Sequence, residues 1–276
     1  MEDNNHMYGP GFFATMIGIF DSGIGGLTVV RSLMDQLSGY DIIYFGDTAR
    51  TPYGSKSPET VIRYALENTD FLMNQGAKII VMACNTASSV AAERVSAEFD
   101  APIFEVITPA VEVSLQTSRG LKIGVIGTRA TITSGIYEKK IKAINPDAKV
   151  YSAACPLLVP LVEEGWMQKP ETVMIIKKYL HPLKVRQIDT LILGCTHYPL
   201  LKKSIQRKIG KKVSVIDSSI AVGAKIKDFL AGHIEVDNLL SRNGKLRLFV
   251  SDITDQFEKT AQITLKRNVH LEPVKL

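Results

Sequence analysis

Short apolar runs rich in Ile, Leu and Val alternate with amphipathic stretches along most of this chain, and that alternation constrains the fold more than any other feature. The runs MIGIF (16–20), IIYFG (42–46), KIIVM (78–82), KIGVIG (122–127) and TLIL (190–193) carry almost no polar alternation. A strand with one wet face alternates polar and apolar residues, whereas a strand covered on both faces reads as a continuous apolar run. Between the runs lie segments of helical period at 27–37, 58–74, 88–99, 137–144 and 172–180, the second opened by Ser57-Pro58 as a start signal. Strand–helix alternation of this kind predicts parallel sheets in an α/β fold.

The pattern restarts midway. KIGVIG echoes MIGIF, and each opens an array that ends in a thiol. Gly18 stands 66 positions before Cys84, and Gly124 stands 71 positions before Cys195. The expected architecture is therefore two similar parallel-sheet α/β domains related by a pseudo-two-fold duplication, with the active site in the cleft between them. A strand at 213–216 and a helix capped by Asp217-Ser218-Ser219 have no echo in the first half. They are expected to cross back, giving a first domain of 16–109 plus 217–276 and a second of 110–216. Residues 1–15 carry Glu2, Asp3 and the soft run Tyr8-Gly9-Pro10-Gly11, without the basic start and apolar stretch of a signal peptide. They read as a flexible extension outside the fold.

Composition narrows the classes. With 45% hydrophobic and 22% charged residues the chain can build a sizeable core, and no apolar run reaches membrane-spanning length. Three cysteines and no CxxC argue against a disulfide scaffold or a structural zinc site, and suit a reducing cytoplasm. The formal charge of +5 comes with paired lysines at 139–140, 177–178, 202–203 and 211–212. These read as solvated helix faces. No aromatics interleave with them as in a nucleic-acid motif, so neither nucleic acid nor membrane is an expected partner. A homodimer is left open.

Chemistry concentrates where apolar runs end. Cys84 is followed by Asn85-Thr86 and Cys195 by Thr196-His197, polar residues that a core does not want. Both thiols fall at the carboxyl end of a strand, where open parallel sheets place their ligand crevices. Both precede a helix start, which is expected to lower a thiol's pKa. His197 is placed to take or orient the proton of Cys195. One thiol from each half, facing one substrate from opposite sides, suits moving a proton from one face of a carbon to the other. Cys155, followed by Pro156, reads as structural. The turn Gly23-x-Gly25-Gly26 invites a dinucleotide reading, but the GxGxxG spacing is broken and Asp21 points a carboxylate at the phosphate position. A site loop whose backbone amides hold a substrate carboxylate is the preferred reading. Glu163 and Glu164 are carboxylates of the second half, with a solvated surface pair as the alternative.

Five stretches together resemble the bacterial glutamate racemases. They are IGIFDSGIGGLTVV (17–30), DIIYFGDTARTPYG (41–54), VMACNTASS (81–89), PLLVPLVEEG (156–165) and LILGCTHYPLL (191–201). A lone CNT is shared with aspartate and hydantoin racemases of the same superfamily, whereas GCTH followed by Tyr-Pro looks like the glutamate branch. The resemblance implies a two-base racemase that needs no cofactor, neither pyridoxal phosphate nor metal, and makes D-glutamate for peptidoglycan. It implies Cys84 and Cys195 as the acid–base pair, Asp21 supporting Cys84, and His197 with Glu163 supporting Cys195. It places Asp21, Ser22, Tyr53, Gly54, Asn85, Thr86, Thr196 and His197 around the substrate. Rival readings are a racemase of another amino acid, a binding protein of this fold with the basic surface as its working part, and a thiol-nucleophile transferase.

Overall fold

The structure, a computed structural model, describes residues 15–275. The extension read from the sequence lies outside the described residues except at Thr15, whose carbonyl accepts the Ser241 N–H at 2.9 Å. Among the described residues, ten strands form two sheets, every pairing parallel. The first sheet contains β1 (Met16–Asp21), β2 (Ile42–Gly46), β3 (Ala77–Met82), β4 (Ile103–Glu105), β9 (Leu246–Val250) and β10 (Leu271–Pro273), in the order β10-β9-β2-β1-β3-β4. The second contains β5 (Lys122–Gly127), β6 (Lys149–Ala154), β7 (Thr190–Gly194) and β8 (Ser214–Asp217), in the order β6-β5-β7-β8. The duplication is visible in these orders: the first four strands of each array pair second, first, third, fourth. Only part of the tail joins the first sheet: β9 pairs with β2 along its whole length, whereas the strand expected at 213–216 stays in the second sheet beside β7 and does have an echo, in β4.

Among the described residues, twelve α-helices cover the sheets. They are α1 (Leu27–Gln36), α2 (Pro58–Asn74), α3 (Asn85–Glu98), α4 (Ile107–Thr117), α5 (Arg129–Thr133), α6 (Ile136–Ile144), α7 (Leu158–Glu163), α8 (Pro170–Val185), α9 (Lys202–Ile209), α10 (Ser218–Gly232), α11 (Ile234–Leu239) and α12 (Asp255–Leu265). The apolar runs are buried on both faces, as a doubly covered sheet demands. From β1, Ile17 and Ile19 enter one core while Met16 and Phe20 enter the other. From β7, Leu191 and Leu193 face one way and Ile192 the other. Cys155 is buried in the core beside β7, in keeping with a structural role.

Several local expectations are corrected. Helix α3 starts at Asn85, not at 88, with Cys84 as its N-cap and Ser88 N–H bonded to Cys84 C=O at 2.8 Å. Thr128 caps α5, its hydroxyl accepting the Thr131 N–H at 3.2 Å. Helix α8 runs past Leu180 and through Pro182 to Val185. Asp217 caps α10 as read, accepting the Ser219 N–H at 3.1 Å.

Candidate active site

β1, β3 and β7 deliver the reactive groups because parallel strands all end at one edge of their sheet. Phe20 pairs with Met82, so Asp21 and Cys84 leave adjacent strand ends together. Gly127 pairs with Gly194, which does the same for Thr128 and Cys195. Ser22, Tyr53, Gly54, Cys84, Asn85, Thr86, Cys195, Thr196 and His197 line one cavity of about 20 Å³, joined by Thr128. That is room for about one water. Beside it opens a space of about 280 Å³ bounded by Gly23, Thr51, Glu163, Glu164 and Phe257. Asp21 and Glu163 stand one layer behind the cavity residues that they bond.

The glycine turn does something other than the sequence suggests. Its amides at Gly23 and Gly26 donate to Asp21 Oδ2 at 3.1 and 2.9 Å, so the carboxylate they hold is the chain's own. Asp21 Oδ1 accepts from Thr196 Oγ1 at 3.3 Å across the cleft. Burial pushes this carboxyl above the ordinary range, against the opposing pull of His197 and of these hydrogen bonds. The glycines are required by close approach. A Cβ on Gly26 would stand 2.3 Å from Asp21 Cβ, and one on Gly25 would stand 2.3 Å from Thr196 Oγ1 and 2.5 Å from His197 Nδ1.

The two thiols have different neighbours. Cys84 Sγ lies 3.6 Å from Ser22 Oγ. Its position at the start of α3 does not depress its pKa as expected. Burial, and then the negative charge of Asp21, push it up to about 12, with the Ala87 amide and Ser22 offsetting only part. A helix N-terminus adds a local field, but a fully buried thiolate loses its hydration, and here the loss wins. Cys195 Sγ instead lies 3.8 Å from His197 Nδ1, and His197 Nε2 lies 3.2 Å from Glu163 Oε1. Burial alone would drive this imidazolium's pKa down. Hydrogen bonds to the Cys195 sulfur and to Glu163, with the charges of both, override that and raise it to about 10. After Cys195 comes only a 3-10 turn, Tyr198–Leu201, before α9.

The remaining nominated residues knit the halves together. Asn85 Oδ1 accepts from Tyr137 Oη at 2.6 Å, while Asn85 Nδ2 is the buried side-chain polar atom without a partner among the described residues. Thr86 Oγ1 lies 3.0 Å from Thr128 Oγ1 and 3.3 Å from Thr131 Oγ1. Tyr53 turns its hydroxyl away from the cleft: it donates to Asp47 Oδ2 and accepts from Asn68 Nδ2 at 3.0 Å. Its contribution to the cavity is therefore its ring and backbone. Gly54 abuts Thr128, where a Cβ would stand 2.9 Å from the threonine Cβ. Thr196 C=O accepts from Thr28 Oγ1 at 3.1 Å.

Sequence reading passed over Thr128, Thr131 and Tyr137. The duplication held a signal for the first, because Thr128 follows β5 much as Asp21 ends β1. Tyr137 carried none beyond its place at a helix start. Among the described residues, no three His, Cys, Asp or Glu side chains gather as a metal-ligand set, and no helix is long and apolar enough to cross a membrane.

Comparison with known proteins finds relatives over nearly the whole chain. A glutamate racemase of Persephonella marina is 46% identical over 261 residues, covering 94% of this chain and 97% of its own. A glutamate racemase isoform of Bacillus anthracis superposes with a TM-score of 0.89 at 35% identity, over 95% of this chain and 98% of its own. The Francisella tularensis glutamate racemase, solved in complex with D-glutamate, gives 0.87 at 38% identity, over 96% and 98% of the two chains. The profile of the Asp/Glu/hydantoin racemase family matches residues 17–225, and the chain belongs to that family.

Proposed function

We propose that this chain interconverts L- and D-glutamate, with Cys84 and Cys195 as its acid and base, and that the D-glutamate serves peptidoglycan synthesis in the cytoplasm. The observation that carries the reading is the pair of thiols at equivalent strand ends of a duplicated fold, lining one cavity. Glutamate, rather than another amino acid, is favoured by the relatives and by the D-glutamate complex of the Francisella protein.

In the L-to-D direction, the Cys195 thiolate takes the α-proton and the Cys84 thiol delivers one to the opposite face. The turnover leaves a proton on Cys195 and a thiolate at Cys84, and the two must exchange before the next L-glutamate. An imidazolium 3.8 Å from Cys195 Sγ, itself held by Glu163, is a suitable counter-ion for a thiolate there. The buried, negatively flanked Cys84 is suited to keep its proton until a carbanion needs it. In the reverse direction the same environment makes the Cys84 thiolate an unusually strong base, which narrows the gap to a carbon acid. General acid–base help of this kind supplies about 10²–10⁴-fold. The balance is assigned to stabilising the carbanion with fixed donors in a cavity that excludes water. Thr86, Ser22 and Thr196 are the proposed donors of that kind, and Asn85 is the proposed donor to a carboxylate that the substrate carries in ground state and transition state alike. Asp21 acts through Thr196 and through its charge on Cys84.

The test is proton NMR of L-glutamate with purified protein in D₂O and no added cofactor, with a chiral assay of the product and L-aspartate in parallel. Loss of the α-proton signal with appearance of D-glutamate is expected, and Cys84→Ser and Cys195→Ser should each nearly abolish it. Either variant racemising at near-normal rate would refute the two-thiol account.

A further inference from the structure

We infer that Tyr137 is a positioning residue that holds the Asn85 amide with its nitrogen toward the substrate and braces the strand end that carries Cys195. The inference rests on the racemase reading above and adds to it a residue from α6, a helix to which that reading assigns no part.

Tyr137 is buried, and its ring and its hydroxyl touch different halves of the site. The hydroxyl donates to Asn85 Oδ1 at 2.6 Å, and Asn85 is the residue directly after Cys84. An asparagine amide has two orientations that differ only in which end faces which neighbour. A hydroxyl committed as donor accepts one of them, with the oxygen toward Tyr137 and the nitrogen away. Burial, and then the charges of Glu105 and Cys195, push the phenol far above its ordinary pKa, so it keeps its proton, and Asn85 Oδ1 is the acceptor that proton has among the described residues. The result is that Asn85 Nδ2 is left buried without a partner, on a residue that lines the cavity. A buried donor without an acceptor is costly, and the cost is relieved when a carboxylate arrives. The hydroxyl thus keeps two donor N–H groups available for an anionic substrate.

The ring does the second task. A Cβ on Gly194 would stand 3.1 Å from Tyr137 Cε2 and 2.8 Å from Ile126 O, so the ring lies close against the backbone just before Cys195. One rigid side chain therefore touches the residue after one thiol and the residue before the other.

Tyr137→Phe keeps the ring and removes the hydroxyl. The expected result is a KM for glutamate raised about tenfold with kcat changed much less, because the amide binds ground state and transition state alike. Asn85→Ala should raise KM as well, and adding Tyr137→Phe to it should change nothing further. Tyr137→Leu, which also removes the brace, should lower kcat in addition. A Tyr137→Phe enzyme with wild-type KM refutes the role, as does a KM increase that persists in full on the Asn85→Ala background, since a general loosening would act without Asn85. Should Tyr137→Phe fold poorly, the unmutated protein labelled with 15N-asparagine gives an independent reading. Its Asn85 side-chain amide should shift on saturation with D-glutamate, and an unmoved resonance refutes the aim of Nδ2. Wild-type activity is measured first. Wild-type protein that leaves glutamate unchanged overturns the functional reading and this inference with it, whereas active wild type with an indifferent Tyr137→Phe overturns only the inference.

Discussion

The environment of Cys84 makes a quantitative claim that alkylation can check. Its thiol is pushed from 9.0 up to about 12 by burial and by Asp21. At pH 8 a free thiol with pKa 9.0 is about one-tenth thiolate, and one raised to about 12 is about one part in ten thousand thiolate. Ionisation alone should therefore slow its reaction with iodoacetamide about a thousandfold. Restricted access also slows the reaction, since the residue is only 5% exposed, but it does so equally at every pH. The slope separates the two causes. Native protein is alkylated in a series from pH 7 to pH 10.5, quenched and digested, and the Cys84 peptide is quantified by mass spectrometry against unfolded protein. The logarithm of the rate should climb by one per pH unit through the whole range. Asp21→Asn, which removes the charge next in importance to burial, should raise the rate at any fixed pH. A plateau below pH 10 would refute the reasoning, because it would place the thiol's pKa near that of an unperturbed cysteine.

Three further expectations follow from the site. Gly25→Ala forces a methyl into the space of Thr196 and His197, and should cost on the order of a hundredfold in kcat/KM and lower Tm as well; an active variant with unchanged Tm would mean that this contact yields freely. Glu163→Gln removes a partner that raises His197, so the alkaline limb of the pH–rate profile should move to lower pH, and an unmoved limb would separate the limb from this imidazole. His197 binds its proton more tightly folded than unfolded, so its contribution to stability is complete below pH 6.5 and is lost as pH rises toward about 10. Tm should fall across that window, and His197→Asn should flatten the fall; an equal slope in both proteins would count against the shift.

Much of the fold was legible because buried parallel strands write themselves as unbroken apolar runs. The strands at 42–46 and 122–127 and the helix at 58–74 have the bounds that the sequence implies. Errors fell where local chemistry serves a distant partner. Asn85 and Thr86 look like loop residues, yet they are the first turn of α3, and their side chains bond Tyr137, Thr128 and Thr131 of the other half. The Gly23 and Gly26 amides look free for a ligand, yet Asp21 folds back onto them. The pKa of Cys84 follows from burial, which no window of neighbouring residues contains. Residues from both halves meet at one cavity, and the duplication made that meeting foreseeable; His197 was legible as the partner of Cys195, whereas Asp21 and Glu163 were implied as supporting residues only by family resemblance.

The two halves share a strand order but surround their thiols with unlike charges. A racemase cannot turn that inequality into a net preference. Mirror-image amino acids have equal free energy in water, so the equilibrium constant between them is one. The Haldane relation then requires kcat/KM for the two enantiomers to be equal. Unlike surroundings for Cys84 and Cys195 therefore express themselves only inside each ratio, as a higher kcat offset by a proportionately higher KM in one direction. They also show in which protonation form of the free enzyme is the more populated. Changing the carboxylate beside one thiol should move kcat and KM in each direction yet leave the ratio of the two specificity constants at unity.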